Sequence, residues 1–216
     1  MGRYAPRPAR LLHGLITAGA VCVLALASCQ SLNPTNWGSF GGSGGSGALT
    51  SDERGVALEL DLPNRASIVA DENTADVYLT DLSDETLDLI ARGQAGREVS
   101  GTLVHVHIFL NPKPGKTPIE STAASATIRT VVLARGQIGV YDGAGFMLPG
   151  RSLKKGAASG SVSNAQTRLT RATDGFEDLL GAARIDLTFG TKGDEARANR
   201  IGRVVRALSA AAEPVD

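Results

Sequence analysis

The sequence predicts an all-β domain, an antiparallel sandwich or partly open barrel, with short helices and an amphipathic helix near its C-terminal end. Three observations predict it. From about Ser51 onward, short runs enriched in Val, Ile, Leu and Thr alternate with Gly, Asp, Asn and Pro. Turn signals recur every 8–15 residues with little helical periodicity between them, the spacing of antiparallel hairpins. The chain of 216 residues is 42% hydrophobic and 20% charged, the composition of a folded protein and not of a disordered or fibrous one.

In chain order the runs place strands near Val56–Leu62, Ala75–Leu82, Gly101–Leu110 and Ala124–Ala134. Further strands are predicted near Gln137–Tyr141, Gly145–Leu148, Ser161–Thr170 and Arg184–Phe189. Asp142-Gly143 lies between two apolar runs and predicts a tight hairpin turn, because both central residues of such a turn take positive φ. Three helices are expected. Ser83 caps the first over Asp84–Arg92, with Leu87, Ile90 and Ala91 inward and Gly93 as its stop. A short second one carries Phe176, Leu179 and Leu180 and ends at Gly181. The third runs over Asp194–Ala212, with Ile201, Val204, Val205, Leu208 and Ala212 at helical spacing. Arg197, Arg200, Arg203 and Arg206 step by three and wind around this helix, so they read as stems covering the rim of a packed helix in preference to a lipid-binding stripe.

The N-terminal segment is of a different kind. Arg3, Arg7 and Arg10 precede an uncharged, mostly apolar run from Leu11 to Ala27 that ends in small residues, the pattern of a secretory signal. Its last residues, Leu26-Ala27-Ser28-Cys29, resemble the lipobox of bacterial lipoproteins. The resemblance covers only the first 29 residues. It implies that residues 1–28 are removed and that the Cys29 thiol is acylated, anchoring the chain to membrane lipid. Gln30 is not the Asp that in this family retains the protein at the inner membrane, so the resemblance implies an outer-membrane location facing the periplasm. Residues 29–50, which include GGSGGSG, read as a lipidated N-terminus and flexible tether, and residues 51–216 as one β-rich domain.

Charge and cysteine content narrow the function. Without the first 28 residues the chain has 19 basic and 22 acidic residues, the opposite of the basic excess of nucleic-acid binders. Cys22 lies in the signal and Cys29 at the anchor, so the domain carries no disulfide.

The candidate site residues are His105 and His107. At i and i+2 in a strand they share one face, where two imidazoles can hold zinc or copper. Val104-His105-Val106-His107 resembles the histidine strand of copper–zinc superoxide dismutase. That family's remaining histidines are absent, since the only other is His13 in the signal. The bland expectation is that Val104, Val106, Ile108 and Leu110 face the core while the histidines stand on the polar face. Ser152-Leu153-Lys154-Lys155 matches the S-x-x-K of penicillin-recognising enzymes, but the companion motifs are missing. Seven acids between Asp71 and Asp88 fit no EF-hand loop and read as a solvated face able to offset the basic C-terminal helix. The proline-stiffened loop Asn111–Pro118 presents Lys113 and Lys116 and is a candidate recognition surface. The sequence thus predicts a membrane-tethered envelope lipoprotein whose domain has a structural or binding role toward an unknown envelope protein or ligand, without catalysis and without a cofactor. The alternative is a zinc- or copper-binding module, enzymatic or not, centred on His105 and His107.

Overall fold

Alternation along the strands decides how the chain folds. In Ala75–Thr80, Gly101–Ile108 and Ala183–Gly190, every second residue is apolar and fully buried: Val77 and Leu79, Val104, Val106 and Ile108, Ile185 and Leu187. A sheet with one such face must wrap it around itself or cover it. The computed structural model describes residues 44–215 except 95, 97, 113–122, 151–152 and 154–155, and among these it holds eleven strands and two helices. The order is β1 (Gly45–Ser51), β2 (Ala57–Leu62), β3 (Asn64–Val69), β4 (Ala75–Thr80), α1 (Asp84–Ala91), β5 (Gly101–Ile108), β6 (Ala126–Ala134) and β7 (Gln137–Gly145). Then come β8 (Met147–Pro149), β9 (Ser159–Ala172), β10 (Ala183–Gly190), α2 (Glu195–Ala211) and β11 (Glu213–Pro214).

The strands form one antiparallel sheet in the order β2-β1-β10-β9-β7-β6-β5-β4-β3, with β8 and β11 also paired to β9. The two ends of this path, β2 and β3, are separated in the chain by Pro63 alone. So short a link forces the sheet to curl until its edges approach, and it is nearly closed and barrel-like. Its interior holds the larger apolar cluster, including Leu49, Leu62, Leu79, Val106, Tyr141 and Leu187. A second cluster lies outside, where α1 and α2 cover Ala66, Tyr78, Leu103, Val131 and Val140 with Leu87, Ile201, Val204 and Leu208.

Both helices start as the sequence predicts. Ser83 accepts from the Thr86 amide and Asp194 from the Arg197 amide, each satisfying an otherwise orphan donor. Gly93 follows α1 at φ +69°. Arg197 reaches Asp84 at 3.1 Å, and Arg200 reaches Asp88 at 3.6 Å, so part of the acidic run does offset the basic helix. Other acids have separate local duties: Asp71 caps the turn at Asn73 and Thr74, and Asp81 accepts from the Thr102 amide at 2.7 Å.

Four sequence expectations are corrected. First, Gly45–Thr50, read as the end of a tether, belongs to β1, paired on both sides between β2 and β10. Gly47 is there because a Cβ would stand 1.9 Å from the Asp186 carbonyl oxygen, so the small residue serves close strand approach as well as freedom. Second, Asp142-Gly143 is not a turn. β7 runs straight through it, Asp142 binds a guanidinium on β6, and Gly143 admits the Gln166 backbone. The hairpin turn is Arg135-Gly136, at φ +51° and +76°, with Ala134 facing Gln137. Third, Phe176–Gly181 is not helical. It is a turn organised by Asp178, whose Oδ1 accepts from the Tyr141 hydroxyl at 2.7 Å and from the amides of Leu180 and Gly181. Burial, reinforced by this hydrogen bond, raises the Tyr141 phenol far above its ordinary value. Fourth, among the anticipated core residues, Leu110 is displaced: it lies past the end of β5 and is exposed.

Candidate functional site

The polar face of the sheet follows from register. Antiparallel pairing sets Asp76 opposite His107 and Tyr78 opposite His105 on β4 and β5. It sets His105 opposite Arg129 and His107 opposite Thr127 on β6, and Arg129 opposite Asp142 on β7. Residues with polar side chains on one face of four neighbouring strands therefore meet in a row. The row borders an open depression of about 450 Å³ lined by His105, His107, Thr127, Arg129 and Asp142 among others.

Asp76 organises one end. Its Oδ1 lies 2.7 Å from His105 Nε2 and 2.9 Å from His107 Nδ1, both hydrogen-bond lengths. An ionised carboxylate only accepts, so both ring nitrogens donate to it. In the neutral rings the lone pairs then sit on His105 Nδ1 and His107 Nε2. The His105 bond holds the Asp76 carboxyl below its usual range, against the opposing effect of burial and with further help from His107. Tyr78 stacks flat on His105, with ring centroids 4.5 Å apart and an interplanar angle of 8°. Burial, seconded by the Asp76 charge, raises the Tyr78 phenol, while Arg206 pulls the other way. Gly202 of α2 lies on this ring: a Cβ there would be 3.0 Å from Tyr78 Cζ.

The other end is a fork-to-fork pair. Arg129 Nε donates to Asp142 Oδ1 at 2.7 Å and Nη2 to Oδ2 at 3.0 Å, while the Thr170 hydroxyl donates to Oδ2 at 2.8 Å. Two hydrogen bonds in one plane fix the guanidinium more firmly than a single contact. Beside the site, Arg171 of β9 donates to the Ala212 carbonyl at 3.1 Å and so caps the C-terminal end of α2.

The sequence-predicted pair His105 and His107 is thus brought together on the polar face, and Val104, Val106 and Ile108 face the interior. Asp76, Tyr78, Arg129 and Asp142 were not anticipated as site residues. The alternation Ala75-Asp76-Val77-Tyr78-Leu79 carried a signal, because it marks Asp76 and Tyr78 as one face of a strand. Cys29, Lys113, Lys116, Ser152, Lys154 and Lys155 lie outside the described residues, whereas Leu153 is buried in the interior cluster. Among the described residues no group of three or more His, Cys, Asp or Glu side chains has the arrangement of a metal site. No helix is long and apolar enough to cross a membrane among the described residues.

The arrangement offers hydrogen-bond donors and acceptors, one aromatic face and one guanidinium with an amino group not used by Asp142. That is chemistry for polar recognition. A nucleophile hydrogen-bonded to either imidazole, the signature of covalent catalysis, does not occur among the described residues. No known protein family, curated protein or solved structure matches this chain.

The Asp76 geometry has a testable consequence. A carboxylate whose folded pKa is lowered contributes stability above its unfolded value, and that contribution is lost as pH falls through the folded one. Asp76→Asn is expected to cost about 1–3 kcal/mol at pH 7, since an amide cannot accept both ring N–H groups as an anion does. The variant should also lose part of the acid destabilisation expected of the parent below about pH 4. Urea unfolding of both proteins between pH 3 and 7 checks this, and parallel pH curves would disprove it.

Proposed function

We propose that this chain is a lipid-anchored protein of the bacterial cell envelope, exported by residues 1–28, acylated at Cys29 and carried on the outer membrane facing the periplasm. Its domain binds an envelope protein or ligand and catalyses no reaction. The observation that carries the binding role is the row Asp76–His105–His107–Arg129–Asp142, an ordered polar face left open beside α2 on a sheet whose neighbouring outer surface is packed with helix. We read the nearly closed sheet as a partly open barrel and not a two-sheet sandwich, because one hydrogen-bonded path runs from β2 to β3. The loop at Lys113 and Lys116 is proposed as an additional recognition surface.

Mass spectrometry of the N-terminal peptide, with labelled palmitate fed to the cells, tests the anchor. Cleavage before Cys29 and an acylated Cys29 are expected; an intact peptide from Arg3 to Ser28, or a free Cys29 thiol, would refute it. A photo-crosslinking residue in place of Thr127 tests the binding face in the intact envelope. An adduct that disappears in Arg129→Ala is expected, and identical adducts with Arg129→Ala would remove this face.

Zinc or copper at His105 and His107 is the second reading. It is favoured by the way Asp76 orients both rings, since metal-bound imidazoles commonly donate their other N–H to a carboxylate. Elemental analysis after dialysis separates the two: stoichiometric metal lost in His105→Ala/His107→Ala would select this reading over the first.

A further inference from the structure

The end of α1, the β6–β7 hairpin and the last turns of α2 enclose a groove of about 480 Å³ that shares no lining residue with the depression at His105. Its wall is mostly apolar, built by Ile90, Val99, Leu133, Ile138 and Leu208, and its size is that of a ligand cleft. The mouth is basic. Arg92 stands between the lining residues Ala91 and Gly93, Arg135 precedes the lining residue Gly136, and Arg203 lies one helical turn before Ala207. All three arginines are exposed, and none has a carboxylate partner among the described residues. Arg197 and Arg200 on the same helix are, by contrast, neutralised by Asp84 and Asp88. Glu98 is an exposed acid beside the lining residue Val99, so the excess of positive charge at the mouth is partial.

Arg135 adds an independent sign. It occupies the left-handed region at φ +51° in a two-residue hairpin, where Asn, Asp or Gly would be unstrained. Backbone strain of this kind collects where a side chain is needed, and here the strained residue is a cation directly before the lining residue Gly136.

An apolar trough with unpaired cations at its rim is complementary to an amphiphile with an anionic head. We propose that this groove docks an anionic phospholipid of the membrane to which the chain is tethered, with acyl chain against Ile138 and Leu208 and phosphate toward Arg92, Arg135 and Arg203. The proposal rests on the membrane-anchored reading above, and its test separates the two. The full chain is reconstituted in phosphatidylcholine vesicles containing phosphatidylglycerol, with a trace of phosphatidylglycerol bearing a photoreactive diazirine in the acyl chain. Adducts are mapped by peptide mass spectrometry. Adducts within residues 29–43 report the anchor alone, whatever happens in the groove.

The expected result is additional labelling within 87–99, 133–138 and 204–211. It should fall about fivefold for each arginine replaced by Ser, the scale of one basic residue at an anionic surface. Ala207→Glu, an exposed position that puts a carboxylate at the mouth without touching the core, should abolish it while leaving labelling of residues 29–43 unchanged. Equal labelling by a phosphatidylcholine probe, or groove labelling that survives the triple Arg92→Ser/Arg135→Ser/Arg203→Ser variant, would overturn the proposal. A chain–chain adduct through these segments in place of a lipid adduct would overturn it too, assigning the groove to a second copy.

Discussion

Gly47→Ala is expected to destabilise the protein by about 3 kcal/mol or more, whereas Gly44→Ala, in the same Gly/Ser string, should stay within about 0.5 kcal/mol. At position 47 an added methyl would stand 1.9 Å from the Asp186 carbonyl oxygen and 2.9 Å from the Leu187 Cα. Those are backbone atoms of β10, and no rotamer change relieves the clash. The two strands must separate, and whichever of them moves, ladder bonds between β1 and β10 are lost. At position 44 the nearest atom is the end of the Arg65 side chain at 3.8 Å, an ordinary contact. The pair of variants separates two roles for one composition. A tether would tolerate both changes equally, while a strand inside the sheet tolerates only Gly44→Ala. Urea unfolding of the two variants decides it, and coincident midpoints would show that Gly45–Ser51 is not part of the folded sheet.

Leu79→Ala should cost about 2–5 kcal/mol, toward the upper end of that range. Leu79 is fully buried in the barrel-like interior, and its methyl groups come close to Gly45 across the curled sheet: a Cβ on Gly45 would lie 3.0 Å from Leu79 Cδ1. Removing the isobutyl group leaves a void bounded by strands. Each of those strands is held by its ladder partners, so the walls cannot collapse inward cheaply, and the cavity cost adds to the lost transfer energy. Leu179→Ala is the control. Leu179 is 53% exposed in the turn that Asp178 organises, so its loss should fall within about 0.5 kcal/mol. Thermal unfolding compares the two. A Leu79→Ala protein as stable as the parent would mean that the sheet does not close over Leu79.

What was legible in the sequence is local. Strand character along 101–108, 126–134, 159–172 and 183–190 is written in β-branched alternation. The helix starts at Ser83 and Asp194 are written in a side chain and the amide three residues on. That His105 and His107 share a face follows from the two-residue period of a strand. What the tertiary structure alone decided is what approaches each of these faces. Asp76 becomes the acceptor for both histidines because β4 pairs with β5, 29 and 31 residues along the chain. Asp142-Gly143 is strand and not turn because Arg129 and the Gln166 backbone meet it from either side, outweighing a local turn preference worth little by comparison. The same holds for Gly45–Ser51: seven residues with a tether's composition become a strand because two full ladders, to β2 and β10, repay the entropy of ordering them. Local signals act over a few residues, whereas ladders, close backbone approaches and paired charges join segments far apart in the chain, and these gave the strand, the turn and the site their places.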